Sequence, residues 1–580
     1  MNATEPSLIR VETIADLPVL WAILQRIDLR AILDRLYPTP LHWTGDLTPA
    51  DVLSLWILFI VSQGDHRLNQ LEPWVEQHQL TLSALTGKNV LPRHAHDDRL
   101  ADLLDRLADH DRFAQLELEL NQQTIRVYQL PTDTVRIDTT TANSHSKVLS
   151  EQGLLQFGFS KDDPNRPQLK IAAAVLDPLG MPLATSVVPG NSTDDPLYIP
   201  TIRAVRQSLG TGKRTYIGDC KMGALDTRAF VAAGGDFYLC PLAETQFPRS
   251  GRLALLQSVW DGTQALQSVY RGVDEGVPRE KLAEGFSVDV ELTAQVDGKA
   301  VCWTERRWLT RSLAYAAAQE SALERRLKKV VSALCDLPTR RQGKKVLSGL
   351  ELEKAIQTLQ VKGGVEGLLD VRIVEEKETY RRRGYGTVAA REEVKIRYTV
   401  EVVRKEEVIA QKKREMGWQV YATNHLGLLL SQTVSAYRGQ YRIEDGWSRL
   451  KGRPLSLTPM YLQDEERMRG LVYLLSVALR ILTLVEWGVR ERLRVSQEKL
   501  DEIYAGQRGR KTSRPSAELL LSAMKTIRIS VVEVDGRVYV LLSPMTAVQK
   551  RLLDLWGLPV DLYEQLVRSL SKPPPNTSEP

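Results

Sequence analysis

The sequence has few cysteines, and no two of them are close enough to form a metal-binding knuckle. Among 580 residues there are four, Cys220, Cys240, Cys302 and Cys335. A zinc site of the Cys-x-x-Cys type is therefore excluded. Widely spaced cysteines are typical of free thiols in the reducing cytoplasm, and we predict that location for this protein.

The sequence also lacks a secretory signal and an uninterrupted apolar run long enough to cross a bilayer. Its first residues contain no charged segment followed by an apolar stretch. Residues 52–62 are apolar but too few to span a membrane, and residues 471–489 are interrupted by Arg480 and Glu486. We predict that both segments are buried helices of a soluble protein.

Neither sign of charge dominates the composition. The chain has 77 Lys and Arg against 72 Asp and Glu, which gives a net charge of +5 at pH 7. This mild excess is only weak evidence for a polyanionic partner. The length predicts three or four domains rather than one.

The residue pattern changes several times along the chain and predicts five regions. Apolar residues recur at helical spacing near the N-terminus, then at strand spacing, and the strand-rich middle is followed by a return to buried strand and helix. The predicted regions are a helical N-terminal domain (1–125), the first part of an α/β core (126–245), a strand-rich insertion (246–415), the second part of the core (416–500), and a small C-terminal domain with a disordered tail (501–580).

Residues 126–245 predict a mixed sheet with helices on its faces, because three consecutive strands precede alternating helices and strands. One strand is predicted to end near Asp138 and another at Asp219. Sheets of this kind carry their chemistry at the carboxyl ends of strands, so the two aspartates are expected to lie close together. Taken singly, a strand-end aspartate more often caps a turn or a helix.

Residues 435–452 predict one helix that carries a third acid, Glu444. Seven residues on a helix advance about 700°, so Tyr437, Glu444 and Lys451 fall on nearly one line. Trp447 joins this face at i+3 from Glu444. The face is aromatic enough to predict that it points inward, and a buried carboxylate needs a partner.

The three acids together predict a divalent-metal site. Carboxylates that face each other repel, and a cation between them removes the repulsion. Mg²⁺ prefers oxygen ligands, and two ions about 3.5–4 Å apart can hold the attacking and leaving oxygens of a phosphoryl displacement. The predicted partner of Glu444 is therefore metal that it shares with Asp138 and Asp219.

The acids and their neighbours resemble the DDE transposases of bacterial insertion sequences, in the branch with a Tyr-Arg-Glu-Lys signature. The resemblance covers roughly residues 90–490. Asp138 and Asp219 are 81 residues apart, and Asp219 and Glu444 are 225 apart because the insertion intervenes. The matching segments are IDTTT around Asp138, YIGDCKMGA around Asp219, YRGQYRIEDGWSRLK with Tyr437, Glu444 and Lys451, and residues 158–195 with Gly190-Asn191, Asp194 and Asp195.

The resemblance implies an RNase H-like core in which Asp138, Asp219 and Glu444 bind two Mg²⁺ ions, for which Mn²⁺ can substitute. It implies that metal-activated water cuts a phosphodiester at the element's end and frees a 3′-OH, which then attacks target DNA. The three acids are metal ligands in this reaction. No covalent protein–DNA intermediate is expected.

The resemblance also implies which residues and partners hold DNA. Tyr437 and Lys451 are expected to contact phosphates at the transposon end. The family has arginine where this chain has Gln440, and Arg438 and Arg442 flank that position as candidates for the role. The implied partners are double-stranded DNA with terminal inverted repeats, target DNA, and a second copy of the chain in a homodimer. The helical N-terminal region is the candidate reader of the repeats, and the implied location is the bacterial cytoplasm at the nucleoid.

Other residues could hold DNA without reference to any family. Two basic segments, 340–345 and 381–383, are predicted to lie in loops, where a solvated charged surface is about equally expected. Trp303 and Trp418 could stack on an extruded base, although a core role is favoured for each. His94 and His96 stand beside Asp97 and Asp98, where an aspartate capping a helix is favoured over a metal site.

Two other functions remain open at this level. One is a metal nuclease on the same fold, such as a resolvase, which would cut DNA without joining it. The other is an inactive, domesticated copy that only binds DNA, although the presence of all three acids disfavours it. Inverted repeats flanking the coding sequence would distinguish these alternatives.

Overall fold

In the computed structural model of this chain, the described residues are 7–160, 162–271, 280–338, 347, 349–383, 391–507 and 509–570. The chain divides into two compact units. The first unit comprises residues 1–240, 292–303 and 436–580, and the second comprises residues 241–291 and 304–435.

The N-terminal part of the first unit is helical apart from one strand that the sequence analysis did not predict. Helix α3 begins with a capping box in which the backbone N–H of Thr48 donates to Asp51 Oδ2 at 2.8 Å, and Pro49 follows at the first helical position. The apolar segment 52–62 is buried in this helix, as predicted. The elements are β1 (Ser7–Thr13), α1 (Leu17–Arg26), α2 (Leu29–Leu36), α3 (Pro49–Gln63), α4 (Leu68–Gln77), α5 (Gln79–Thr86), α6 (Asp97–Leu107) and α7 (His110–Tyr128).

A mixed sheet follows, and it confirms the predicted α/β core. Its elements are β2 (Thr134–Asn143), β3 (Gln168–Leu176), β4 (Met181–Pro189), α8 (Tyr198–Leu209), β5 (Thr215–Ile217), α9 (Leu225–Ala233) and β6 (Phe237–Pro241). The strands lie in the order β4-β3-β2-β5-β6. The pairs β2–β3 and β3–β4 are antiparallel, whereas β2–β5 and β5–β6 are parallel. This order and these directions are those of the RNase H fold.

Strand β2 continues past Asp138, where the sequence analysis expected it to end. Asp138 pairs with Ala173 of β3, and the antiparallel pairing continues to Asn143 opposite Gln168. On its other side, β2 loses its parallel neighbour, because β5 ends at Ile217. Asp138 therefore lies inside a strand, at the point where the sheet has opened on one side.

The second unit contains the predicted strand-rich segment and several helices. The hairpin predicted at Asp297-Gly298 is present, and both residues have the positive φ angles, 47° and 77°, that such a tight turn requires. The hairpin tip, residues 292–303, belongs to the first unit. The elements are α10 (Arg249–Trp260), β7 (Gln267–Tyr270), β8 (Lys281–Val296), β9 (Lys299–Ser312), α11 (Leu313–Asp336), α12 (Gly349–Gly363), β10 (Leu369–Arg382), β11 (Arg391–Arg404), α13 (Glu406–Arg414), β12 (Trp418–Thr423) and α14 (Leu430–Arg438), whose last residues lie in the first unit.

A separate hydrophobic core stabilises the second unit. Leu323, Leu327 and Leu334 follow one face of α11 and are fully buried. They belong to the same cluster as Leu352 of α12 and Val400 of β11. The long helix is amphipathic for this reason, and it ends before Pro338 as predicted.

The remaining elements complete the first unit. They are α15 (Tyr441–Lys451), α16 (Glu465–Ser496), α17 (Ala517–Met524), β13 (Arg528–Val534), β14 (Arg537–Leu542), α18 (Ala547–Trp556) and α19 (Leu562–Leu570). Strand β1 pairs antiparallel with β13, which pairs with β14, so the first strand completes a sheet with the predicted C-terminal hairpin. The tail predicted to be disordered, 571–580, lies outside the described residues.

Helix α16 is long and apolar enough to cross a membrane by length and composition alone. Its most apolar 18-residue window is 94% buried inside the protein. Burial of this extent is typical of a core helix, as the sequence analysis predicted for residues 471–489.

The helix predicted over residues 435–452 is two helices. Helix α14 ends at Arg438 and α15 begins at Tyr441, with Gly439 and Gln440 between them. Tyr437 therefore lies on a different helix from Glu444 and Lys451, and the line that joined all three residues is broken. The sequence pattern missed this break because helical periodicity continues across it, whereas Gly439 interrupts the backbone.

Candidate active site

Asp138 and Asp219 follow the β2–β5 pairing at the same end of the two strands. In the parallel pair, Thr134 lies opposite Thr215 and Arg136 opposite Ile217, a constant offset of 81 residues (215 − 134). Asp138 and Asp219 differ by the same 81. Asp138 and Asp219 each lie two residues beyond the last pair, Arg136 and Ile217, at the same end of these two strands.

Both aspartates line one cavity of about 470 Å³, which we call the acid cavity. Both side chains are half-buried, and Asp138 lies within β2 whereas Asp219 follows β5. The cavity also contains residues from β3, from the segment before α8 and from the end of α15. Its charged lining residues are Asp138, Asp194, Asp219, Lys170, Lys221 and Lys451.

Neutral hydrogen-bond donors hold the two aspartates in place. The indole Nε1–H of Trp447 donates to Asp138 Oδ2 at 3.0 Å. The hydroxyl of Tyr198 donates to Asp219 Oδ1 at 2.6 Å, and the backbone N–H of Lys221 donates to the same oxygen at 2.9 Å. Both donors contact Oδ1, so within the part of the chain that the structure describes Oδ2 is the oxygen of Asp219 left for a further ligand.

The Tyr198 hydroxyl has a strongly shifted pKa. Its side chain is buried at the first residue of α8. Burial, and then the adjacent negative charges of Asp219, Asp138 and Asp194, raise the pKa of Tyr198 well above its ordinary value. The hydroxyl therefore stays protonated at any physiological pH and remains a donor to Asp219.

The lysines of the acid cavity are engaged with other acids. Lys170 Nζ contacts Asp194 Oδ1 at 2.7 Å, and Lys451 Nζ contacts Asp162 Oδ2 at 2.6 Å. The nearest acid to the Lys221 ammonium is Asp195, at 3.8 Å. The facing pair Asp138 and Asp219 thus suits a divalent cation, because carboxylate oxygens are hard ligands and a cation would relieve their repulsion.

Glu444 lies on the helix that contacts this site, but its side chain is not buried. It is exposed in the first turn of α15, which corrects the expectation of an inward-facing carboxylate. Trp447, one turn later, holds α15 against this site, because its side chain is buried and donates to Asp138. The buried face of α15 is instead formed by Ile443, Trp447 and Leu450.

The three acids are more widely spread than a single coordination sphere. Among the described residues, the one group of three potential ligands whose atoms all lie within 4.8 Å of one another is His96, Asp97 and Asp98, which is exposed at the start of α6. Asp97 and Asp98 complement the positive end of that helix, where acidic residues are common. His96, not an aspartate, occupies the cap position there.

The four predicted DNA-binding residues have different surroundings. Lys451 lines the acid cavity. Tyr437 is half-buried near the end of α14. Arg438 is exposed and has no ion pair within the described part of the chain. Arg442 is turned to Asp177, with Nη1 at 2.9 Å from Oδ1, so it is already paired.

The alternative core role is confirmed for both tryptophans that were considered for base stacking. Trp303 is buried and donates its indole N–H to the Tyr238 hydroxyl at 2.9 Å. Trp418 is buried and donates to the Arg414 carbonyl at 3.1 Å. Of the basic segments, 340–345 lies outside the described residues, and Arg381 belongs to strand β10 and not to a loop.

Sequence reasoning missed several residues that shape the site. Tyr198 and Lys170 were not singled out, and Asp194 was noted only as part of a matching segment. Asp194 accepts hydrogen bonds from Thr139 at 2.9 Å and from Lys170, which makes it a third acid of the cavity. The available signal was the polar segment 190–195 directly before a helix, a position that often supplies groups to a site at the edge of a sheet.

Comparison with protein-family models gives two matches. Residues 131–481, more than half of the chain, match the model described as "Transposase DDE domain". Residues 9–118 match "Domain of unknown function (DUF4277)". No curated protein matches the sequence.

Among solved structures, the chain aligns with the "piggyBac transposase synaptic complex with hairpin DNA", determined by cryo-electron microscopy. The identity is 8% and the TM-score 0.36, with 99% of this chain and 90% of that chain covered. A TM-score of this size is too low to argue from. By the family match over more than half of its length, the chain belongs to the DDE transposases, metal-dependent enzymes that cut and join DNA.

Proposed function

We propose that Asp138, Asp219 and Glu444 are the catalytic acids of this transposase and that they bind two Mg²⁺ ions, with Mn²⁺ as a substitute. The observation that carries the proposal is that Asp138 and Asp219, each two residues beyond the last β2–β5 pair, both line the acid cavity. The wider position of Glu444 suits a pair of ions, because ions 3.5–4 Å apart extend beyond one coordination sphere.

The bound ions would supply Lewis acidity for the attack on a phosphodiester and charge to stabilise the transition state. The residues of the chain hold the ligands in place for this chemistry. Trp447 fixes one oxygen of Asp138, and Tyr198 together with the Lys221 backbone fixes one oxygen of Asp219. These contacts pre-orient the carboxylates, so less reorganisation is needed when a cation and DNA arrive.

The DNA contacts are proposed on charge and exposure. Lys451 lines the acid cavity, and its ammonium would exchange its contact with Asp162 for a phosphate oxygen. Arg438 is exposed without an ion pair in the described part of the chain, and this favours it over Arg442 for the role of the arginine that Gln440 replaces. Tyr437 lies beside Arg438 at the end of α14, and we retain it as a contact to the transposon end.

The proposed substrates are double-stranded DNA with terminal inverted repeats and a target duplex. The helical region 1–125 is proposed to bind the repeats, and two copies of the chain to hold a pair of ends. The Tyr-Arg-Glu-Lys branch, the five-region domain division and a location at the nucleoid of the bacterial cytoplasm belong to the same proposal.

Strand joining on labelled DNA tests the proposal. The substrate carries the inverted repeats that flank the coding sequence, and the reaction contains Mg²⁺. We expect cleaved ends and joined product with the natural chain. Glu444→Gln should reduce both by about a thousandfold, because a metal centre supplies several kcal/mol of transition-state stabilisation. DNA binding in a gel-shift assay should be unchanged.

Asp445→Asn is the matched control, because Asp445 is the adjacent exposed acid on the same helix. This variant should cut and join normally. Normal cleavage by the Glu444→Gln variant would contradict the assignment of the third acid. Cleavage without joined product would identify a nuclease, and binding without cleavage an inactive copy.

A further inference from the structure

One carboxylate, Asp177, binds two arginines that stand at matching positions before two of the proposed catalytic acids. Arg136 donates from Nε to Asp177 Oδ1 and from Nη2 to Oδ2, both at 3.1 Å. Arg442 donates from Nη1 to the same two oxygens at 2.9 and 3.1 Å. Arg136 lies two residues before Asp138 on β2, and Arg442 lies two residues before Glu444 on α15.

The arrangement ties α15 to β2 at one end of the segment that carries Glu444. At the other end, Trp447 donates to Asp138 at 3.0 Å. Glu444 stands between the two ties, two residues after one and three residues before the other. Because Glu444 itself is exposed, its distance from the sheet depends on these contacts and not on burial of its own side chain.

Electrostatic attraction between the Asp177 carboxylate and the two guanidinium groups holds this cluster together, and we call the three residues the clamp. The Arg136 side chain is 1% exposed, so its charge is removed from water and requires a nearby anion. Charge-assisted hydrogen bonds to a carboxylate are the strongest contacts of this kind and fix geometry as well as charge. Asp177 supplies that anion to both guanidinium groups at once.

The backbone at the helix break accommodates the clamp. A Cβ atom at Gly439 would lie 2.2 Å from Arg136 Nη2 and 2.6 Å from Arg442 Nη1. A larger residue at this point would require both guanidinium groups to shift. The break between α14 and α15 is therefore linked physically to the Asp177 cluster.

We propose that Asp177 is a positioning residue that sets the distance between Glu444 and Asp138, and thereby the affinity of the active site for divalent cations. This inference rests on the proposed function, since it assumes that these acids bind metal. Groups that orient metal ligands without touching the metal typically change its affinity about tenfold to a hundredfold when removed.

Binding of Mn²⁺ to the full chain, followed by the electron paramagnetic resonance signal of free Mn²⁺, tests the clamp without measuring activity. The natural chain should bind Mn²⁺, and Asp138→Asn should abolish that binding. Asp177→Asn should weaken it about tenfold, because the new amide presents N–H groups to one of the two guanidinium groups. Arg442→Gln, which releases a half-exposed partner and leaves Asp177–Arg136 intact, should weaken it in the same direction.

Asp236→Asn is the matched control for loss of a buried ion pair. The Asp236 carboxylate is fully buried and accepts from Arg206 Nε at 2.9 Å. This ion pair does not include any of the three acids. The melting temperature of every variant is recorded by circular dichroism, and binding is measured only on folded protein. Asp236→Asn should lower the melting temperature and keep the Mn²⁺ affinity.

The outcomes separate the clamp from the proposed function. Unchanged Mn²⁺ affinity in Asp177→Asn, or an equal loss in Asp236→Asn, would overturn the clamp while leaving the metal site intact. If Asp177→Asn does not fold, unchanged affinity in Arg442→Gln overturns it instead. If the natural chain and Asp138→Asn bind Mn²⁺ equally, the proposed function fails and the clamp with it.

Discussion

Acidic residues at two places in the first unit, a pair at the acid cavity and the single Glu117 in the core, have the same chemistry but different surroundings. Asp138 and Asp219 are half-buried at the acid cavity. Glu117 of α7 is buried, and its Oε2 accepts the backbone N–H of Thr185 on β4 at 2.9 Å. Burial raises the pKa of Glu117 to about 7, while the Thr185 contacts and the Arg480 charge act in the opposite direction.

Glu117 is closed to ligands by burial, although its Oε1 has no hydrogen-bond partner among the described residues. Arg480 of α16 donates from Nη2 to Asn121 Oδ1 at 2.7 Å and to the Pro182 carbonyl at 2.8 Å. Burial lowers the pKa of Arg480 to about 10. The comparison teaches that solvent access, and not residue type, separates an acid that can bind a cation from one that serves the core.

The largest expected effect contrasts one acid from each group. Asp138→Asn should reduce DNA cleavage about a thousandfold, since it removes a proposed ligand of the metal ions. Glu117→Gln should leave the cleavage rate within about twofold. Single-turnover cleavage of a labelled end fragment measures both. A comparable loss in Glu117→Gln would break the distinction between the two groups.

The second prediction concerns pH and stability. In the unfolded chain the Glu117 carboxyl loses its proton around its ordinary pKa of 4.5, whereas in the folded chain it keeps the proton until about pH 7. The contribution of Glu117 to the free energy of unfolding is therefore complete below pH 4.5 and is lost as the pH rises to about 7. The total loss is about 3 kcal/mol. Urea unfolding of the natural chain and of Glu117→Gln at pH 5 to 8 should show that the variant lacks this loss.

Glu119→Gln is the control for the stability experiment. Glu119 lies on the same helix, and burial opposed by hydrogen bonds from Gln115 and Arg35 leaves its pKa below the ordinary value. A lowered pKa changes stability only at more acidic pH, so this variant should follow the natural chain from pH 5 to 8. A natural chain whose stability rises with pH relative to Glu117→Gln would contradict the prediction.

A smaller effect is expected for Tyr198, a buried residue whose hydroxyl donates a hydrogen bond to the accessible carboxylate of Asp219. Tyr198→Phe removes the hydroxyl that holds Asp219 and should raise the Mg²⁺ concentration for half-maximal cleavage about tenfold. Tyr37→Phe is the matched control, because the Tyr37 hydroxyl is buried without a hydrogen-bond partner among the described residues. An equal change in both variants would show that the effect is not specific to Asp219.

The smallest expected effect concerns Arg438 and Arg480, two arginines that differ in exposure as the acids do. Arg438 is exposed, unlike Arg480, and is proposed to contact a phosphate. Arg438→Ala should weaken DNA binding a few-fold and reduce the slope of log affinity against log salt by about 0.9. Arg438→Lys retains the charge and should retain the slope. A slope unchanged in Arg438→Ala would remove this residue from the interface.

Local pattern was sufficient to predict much of the fold. Alternating strands, the turn at Asp297-Gly298 and the apolar helices α3 and α16 follow from hydrophobic periodicity and turn chemistry, which act over a few residues. The strand β1 was missed because the strand it pairs with among the described residues is β13, more than 500 residues away. The break at Gly439 was missed because one glycine is weak evidence against a helix, and its reason here is the space required by two distant arginines.

The sequence by itself determined which acids are candidate metal ligands, the type of chemistry they suit, and the 81-residue spacing of Asp138 and Asp219. Only the tertiary structure decided that this spacing equals the offset of the β2–β5 pairing, that Glu444 is exposed, and that Arg442 is bound by Asp177. The physical reason is that residue identity fixes charge and ligand preference locally. Burial, register and ion pairing depend on segments that meet only when the chain has folded.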